Sequence, residues 1–227
     1  MSNKITLVMD SSGPVFLAGI NAKDRVYSSR RKGIKQERFF LSVIERVLKK
    51  AGCELADIKK IFFVRGPGRF TGIRISLTFA SMLQALNGAE VSGATLFEIL
   101  HKQVTDSVSF SKWKKENKTG TVAIVLHAFR EEYFLQFFDK ENAGPQWLAK
   151  EELLQKLAAH AEPLYIAGTD RDGLPLSGLL GNSYRLAAQT DSRLRVETLL
   201  EMAENPIYCK NALEPLYLKP ARFELGK

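Results

Sequence analysis

Val64-Arg65-Gly66-Pro67-Gly68-Arg69-Phe70-Thr71-Gly72-Ile73-Arg74-Ile75 leads from an apolar segment, through a glycine-rich loop, into an apolar helical pattern. A strand, a glycine loop and a helix start in that order leave backbone amides and the positive end of a helix dipole at one point, which suits an anion. Two nucleotide-binding templates fit poorly. A Walker loop needs Lys and then Ser or Thr after its last glycine, whereas Gly72 is followed by Ile73 and Arg74. A dinucleotide fingerprint has two residues between its second and third glycines, and three separate Gly68 from Gly72. The other reading is structural: glycine admits positive φ in a tight turn and Pro67 fixes its own φ. Spacing alone leaves both open.

The helix that follows is read from Thr71, as a cap, to about Leu86, with Asn87-Gly88 stopping it. Ile73, Ile75, Leu77, Phe79, Ala80, Met82, Leu83, Ala85 and Leu86 spread around most of its circumference. Arg74, Thr78, Ser81 and Ala85 or Gln84 leave only a narrow, small or polar strip. A helix apolar almost all round is buried on two sides. One side is the sheet of its own domain; the other is a second chain or, in the plainer reading, more of the same core.

Upstream, Ile5–Met9 reads as a strand ending in the turn cluster Asp10-Ser11-Ser12-Gly13-Pro14, and strands over Val15–Ile20 and Arg25–Ser29 complete a meander. Phe39, Phe40, Val43, Ile44, Val47, Leu48 and Ala51 form one helical stripe, with Gly52 as C-terminal cap. Lys59–Arg65 is a strand. Downstream, Thr95 and Glu98 have capping-box spacing and open a third helix to about Val104. Residues 105–120 lose periodicity, so a boundary is placed there. It separates an N-terminal subdomain, residues 1–104, from a C-terminal one, residues 105–227, whose tail is able to pack back on the first. The second subdomain restarts with strands Val122–Leu126 and Tyr133–Phe138. A helix over Lys150–Ala161, a strand Leu164–Ala167, a helix over Arg195–Ala203 and the tail Glu214–Pro220 follow. Strands with interleaved helices indicate an α/β protein.

The chain has 227 residues with 45% hydrophobic and 26% charged, which excludes disordered and low-complexity classes. No apolar run approaches the ~20 residues that span a bilayer, and Ile5–Met9 is too short for a signal-peptide core. Cys53 and Cys209 are too few for a disulfide framework, so the reading is cytoplasmic, with no membrane. Net charge is +8, and ten basic against three acidic residues lie between Lys23 and Lys50, including Arg30, Arg31, Lys32 and Lys35. A second run is Lys112, Lys114, Lys115 and Lys118. Such runs are either solvated surface or an electrostatic contact to a polyanion. His101, His127 and His160 have no helical metal-pair spacing, and no Gly-x-Ser-x-Gly elbow occurs. Asp10, closing the first strand, is the best candidate carboxylate for a nucleotide or its metal, and equally a turn residue.

Taken together the motifs resemble the TsaB (YeaZ) family. Gly66-Pro-Gly-Arg-Phe-Thr-Gly-Ile-Arg74 is similar to that family's Gly-Arg-Gly-Pro-Gly-Ser-Phe-Thr-Gly-Leu-Arg, without its first glycine and with Arg69 for serine. Leu7-Val-Met-Asp10-Ser-Ser resembles Leu-Ala-Leu-Asp-Thr-Ser. Lys35-Gln36-Glu37 stands for His-Ser-Glu, Thr95-Leu-Phe-Glu98 for Ser-Ser-Leu-Glu, and Ala128-Phe-Arg-Glu-Glu-Tyr133 for the Ala-Arg hairpin, with His127 where aspartate is usual. Pro215-Leu-Tyr-Leu-Lys-Pro220 resembles the closing Pro-x-Tyr-Leu-Arg.

The resemblance implies an actin-like (ASKHA) fold of two ribonuclease H-like subdomains, the second reduced. It implies a non-catalytic dimerisation subunit of the complex that makes N6-threonylcarbamoyladenosine at position 37 of tRNAs reading codons that start with A. TsaD, a related chain, carries the metal and the transferase chemistry, and the ATPase TsaE joins the assembly; tRNA is met indirectly. No cofactor is implied for this chain, and a homodimer is implied when it is free. The partner surface implied is the helix pair, through Phe40, Val43, Val47, Ile73, Leu77, Ala80, Ser81, Leu83 and Gln84. The alternative is a small-molecule kinase or ATPase of the same fold, with Asp10 holding magnesium; a metalloprotease lacks the ligands in sequence.

Overall fold

The computed structural model describes residues 5–139, 144–209 and 213–219, so Pro220, which closes the tail motif, lies outside the described residues. Two compact units divide the chain. One holds the chain up to Ile99 together with Arg195–Tyr217, the other Leu100–Leu194 and the chain from Leu218 onward.

The first unit is built on a sheet of β1 (Ile5–Asp10), β2 (Val15–Ala22), β3 (Arg25–Lys32), β4 (Ile58–Val64) and β5 (Glu90–Ala94), in the order β3-β2-β1-β4-β5. β1, β2 and β3 are antiparallel; β4 and β5 run parallel to β1 on its other side. The β2–β3 hairpin turns on Lys23 and Asp24, both at positive φ (52° and 58°), the geometry whose twist suits a two-residue hairpin. Side chains alternate across the pleat. Leu7, Met9, Phe16, Ile61 and Phe63 join the core under α1 (Phe40–Ala51) and α2 (Phe70–Asn87). Phe40 bridges the layers, stacked on Phe16 at 4.5 Å and edge-on to Phe79 at 5.3 Å. The opposite face carries Gly19, where an added Cβ would stand 2.3 Å from Val196. There α7 (Val196–Ala203) lies close on the sheet.

The second unit repeats the wiring. β6 (Thr121–Phe129), β7 (Glu132–Phe137) and β8 (Gln146–Ala149) form an antiparallel meander, and β9 (Leu164–Thr169) and a two-residue β10 (Arg185–Leu186) run parallel to β6, in the order β10-β9-β6-β7-β8. Its core gathers Val125, Tyr133, Leu135, Leu153, Leu157 and Ile166, with α5 (Lys150–Ala159) contributing the two leucines Leu153 and Leu157. α3 (Leu96–Thr105) carries the chain from one unit into the other, and α6 (Ser177–Leu180) is a single turn.

Two local expectations are corrected. The stretch 105–120 is not aperiodic linker: α4 (Val108–Glu116) occupies it, capped by Ser107, whose hydroxyl accepts from the Phe110 amide at 3.1 Å. Its buried Trp113 packs so closely over Gly120 that a Cβ there would meet the indole at 2.3 Å. The serines and lysines that looked like linker are a cap and a solvated face. And α2 begins one residue before Thr71, with Arg69 at the cap position and no side-chain capping bond.

Candidate functional site

β4 delivers the chain to a cis peptide bond at Gly66-Pro67, and the loop Gly66–Arg69 feeds α2. The start of α2 is met by the Asp10–Ser12 turn. The Arg69 amide donates to the Ser12 carbonyl at 2.7 Å, and the Ser11 hydroxyl donates to the Gly72 carbonyl at 2.6 Å. Ser11 Oγ also lies 2.6 Å from Ser76 Oγ, both fully buried. A Cβ on Gly68 would stand 2.4 Å from the Ser12 carbonyl oxygen, and one on Gly72 only 1.9 Å from that of Ser11. The glycines permit one backbone to lie on another. Of the two readings the sequence left open, the geometry takes the structural one: the Asp10–Ser12 turn fills the space at the loop.

Asp10 closes β1 within this turn. Its Oδ1 accepts from the Ser12 amide at 2.9 Å and the Ser12 hydroxyl at 2.6 Å. Burial raises its pKa above the ordinary carboxylate value, against the opposing pull of the Ser12 bonds and the Arg30 charge. Sequence reasoning missed Gln36, which is buried beside the seam, its Nε2 donating to the Gly13 carbonyl at 2.7 Å. A polar residue inside a basic run gave no signal of burial.

The nine residues named for a partner surface divide. Phe40, Val43, Val47, Ile73, Ala80 and Leu83 are buried in the unit's own core, with Ala80 at 0% and Leu83 at 3% exposure. They are corrected to core positions: α1 has one apolar stripe, and the sheet takes all of it. The outward side of α1 is Leu41, Ser42, Glu45, Arg46, Lys49 and Lys50. Leu77 and Ser81 are half-buried and Gln84 is exposed. Along α2 they share the outer side with Phe70, Arg74, Thr78, Met82, Ala85 and Leu86. Arg74 is the sole charge in this 18-residue helix, so its solvent side is small and apolar where a surface helix is ordinarily charged.

The basic residues lie elsewhere. Arg30, Arg31 and Lys32 end the edge strand β3 and Lys35 follows in the next turn, all exposed. The Arg31 guanidinium rests 4.5 Å over the Phe39 ring. In the second unit His127 ring nitrogen Nε2 lies 2.9 Å from the Arg130 carbonyl across the hairpin turn, and Tyr133 donates to Asp170 at 2.9 Å. Burial, then that bond, pushes the Tyr133 pKa well above the ordinary tyrosine value. Among the described residues no three His, Cys, Asp or Glu side chains gather as a metal site, and no helix is long and apolar enough to cross a membrane.

Comparison with known proteins follows the same lines. Residues 36–104 match the family model TsaD, tRNA N6-adenosine threonylcarbamoyltransferase. A tRNA threonylcarbamoyladenosine biosynthesis protein TsaB of Buchnera aphidicola (from Schizaphis graminum) is 30% identical over 134 residues, 59% of this chain and 60% of that one. The Escherichia coli K12 TsaB is 25% identical over 128 residues, 56% of this chain and 52% of its own length. The chain thus spans between about half and two thirds of the length of the curated relatives it matches. YeaZ from Pseudomonas aeruginosa superimposes with a TM-score of 0.65 at 22% identity, covering 95% of this chain and all of that one. A second Pseudomonas aeruginosa structure, described as similar to the peptidase YeaZ, gives 0.67 at the same identity and coverage.

The repeated five-stranded wiring and these superpositions define an actin-like α/β protein with two mixed sheets. The glycine loop at the head of α2 is closed on itself rather than open to an anion. The chain is TsaB (YeaZ)-like: the curated relatives it is similar to, at 25–30% identity, are tRNA threonylcarbamoyladenosine biosynthesis proteins TsaB.

Proposed function

We propose that this chain is a non-catalytic subunit that pairs with a TsaD-family chain through the outer side of α2, supporting the threonylcarbamoylation of position 37 in tRNAs reading codons that start with A. The observation that carries the reading is the outer side of α2: Leu77, Thr78, Ser81, Met82 and Ala85, small or apolar, with Arg74 its one charge. Exposed in a free chain, such a face favours self-association, so a homodimer forms when the partner is absent. The stretch that matches the TsaD family model, 36–104, contains α1, α2 and β4, so a TsaD-family chain has a corresponding helix to lay against this one. The metal and nucleotide belong to TsaD and TsaE, tRNA is reached through the assembly, and the place of action is the cytoplasm.

Ser81→Glu tests the face. Ser81 is half-buried on the outer side of α2 rather than in the core, so the variant is expected to fold, and burying its unpaired charge in a helix contact would cost roughly 2–5 kcal/mol, a loss of thirty-fold or more in affinity. Co-purification with the TsaD-family chain of the same genome is expected to be lost while the circular-dichroism spectrum is kept. Leu83→Glu, buried in the chain's own core, is expected to unfold it instead. Wild-type affinity of folded Ser81→Glu would remove α2 from the interface.

A further inference from the structure

Tyr217 is far from α2 in sequence, yet its ring packs on Phe70 with centroids 5.0 Å apart. Backbone bonds hold it there. The Leu216 amide donates to the Arg65 carbonyl at 2.8 Å, and Arg65 Nη1 donates to the Glu214 carbonyl at 2.8 Å. The Leu216 carbonyl passes so close to the loop that a Cβ on Gly66 would meet it at 2.6 Å. Gly66 has φ +119°, a conformation only glycine adopts readily. The glycine loop therefore seats the strap Glu214–Tyr217 on one side as it seats Ser11 and Ser12 on the other.

Phe70 holds a second flat group, the Arg74 guanidinium, 4.0 Å over its ring. These groups remain open to solvent: Phe70 is 51% and Tyr217 42% exposed. Phe70, Arg74, Leu77 and Ser81 follow at helical spacing along one strip, and Tyr217 packs against its first residue. A tyrosine whose work was only to anchor the strap would bury its ring. Instead the bonds to Arg65 do the anchoring and the ring is displayed, its orientation fixed by Phe70.

We infer that the strap is a working part of the docking face, presenting Tyr217 to the same TsaD-family chain. The inference rests on the proposed pairing through α2. Tyrosine and arginine, set among Phe70 and Leu77 on a strip with no other charge, are residue types enriched at protein interfaces. Holding them in place before binding lowers the entropy lost on association.

The test uses the full chain and the purified TsaD-family partner, with affinity read by calorimetry and self-association by sedimentation. Tyr217→Ala keeps the backbone bonds, so its melting temperature is expected to stay near wild type while the partner Kd weakens about thirty-fold, the hot-spot scale. Tyr217→Phe keeps the ring and is expected to restore binding. If Ser81→Glu abolishes binding and Tyr217→Ala leaves it unchanged, the strap inference is overturned and the α2 reading stands. If neither variant changes binding, both fall. If Tyr217→Ala lowers only the melting temperature, or alters only self-association, the strap is structural or serves a second copy of this chain, and the inference is again overturned.

Discussion

Gly72→Ala sets two physical effects against each other with opposite signs. Gly72 lies in the first turn of α2, and within a helix alanine is favoured over glycine by about 1 kcal/mol. Propensity alone therefore makes the change stabilising. The structure says otherwise. The new Cβ would stand 1.9 Å from the Ser11 carbonyl oxygen, and that oxygen is backbone, without a flexible end to swing away. Ordinary contact lies at 3.4–4 Å, so turn and helix must separate by well over an ångström. That breaks the 2.6 Å bond from Ser11 to the Gly72 carbonyl and strains the 2.7 Å bond from the Arg69 amide to Ser12. Each buried polar group left unmatched costs about 1–3 kcal/mol. With the two partners of the broken bond unmatched and the propensity gain subtracted, a net loss of roughly 1–5 kcal/mol remains, which for a chain of this size lowers Tm by about 2–20 °C. Thermal and urea unfolding of the purified chain give the sign directly. Gly13→Ala is the control in the same turn, because nothing lies within 4 Å of its added Cβ. A Gly72→Ala variant as stable as the parent would refute the backbone seam and reopen the anion reading of the loop.

Two further outcomes are expected. The folded chain holds the Asp10 proton more tightly than the unfolded chain, whose carboxylate has the ordinary value 3.8, so the stability tied to Asp10 falls as pH rises from about that value through the raised folded one. Asp10→Asn keeps an acceptor for both Ser12 bonds and removes the titration; it is expected to be at least as stable as the parent at pH 7 and to lose less between pH 4 and pH 7, and an equal pH slope in both would dismiss the argument. Replacing Arg30, Arg31 and Lys32 by glutamate is expected to weaken tRNA binding by the assembled complex and to flatten its salt dependence, by about 0.9 in log–log slope for each duplex phosphate that is no longer neutralised; unchanged affinity at two salt concentrations would assign these residues to solvated surface.

Much of the fold was legible because it rests on local rules. The α1 stripe Phe40, Val43, Ile44, Val47, Leu48 and Ala51 is buried as its spacing requires, and Gly52 caps the helix at φ 66°. Gly88 does the same for α2 at φ 67°. Thr95 and Glu98 form the reciprocal bonds of a capping box, at 2.6 and 3.2 Å. What sequence could not give was direction. A pattern apolar all round does not say which side meets the sheet, so Ala80 and Ser81 looked equivalent although one is core and the other half-buried on the outer side. β5 escaped because Glu90-Val-Ser-Gly-Ala94 has little strand propensity of its own and is held by its parallel register on β4. The Tyr217–Phe70 contact depends on a backbone bond between residues 65 and 216, which no local rule reports.

The glycine loop and the free helix face belong to one arrangement. In a strand–loop–helix cradle, glycines let an anion approach the backbone. Here the approaching group is the protein's own Ser11–Ser12 backbone on one side and Leu216 on the other. α2 is thereby fixed at its N-terminal end by backbone contacts, and along its inner side by Ile73, Phe79, Ala80 and Leu83. Little of the outer side is needed for that. Phe70, Met82 and Leu86 remain exposed on a helix whose one charge, Arg74, lies over an aromatic ring. A helix held this firmly and left this apolar has its binding geometry set before any partner arrives. A loose helix would have to be ordered on contact, at an entropic cost to affinity. Under the proposed pairing, the rigidity gained at the glycine seam bears on function through α2: weakening the seam is expected to loosen the proposed docking face even where no residue of that face has been changed.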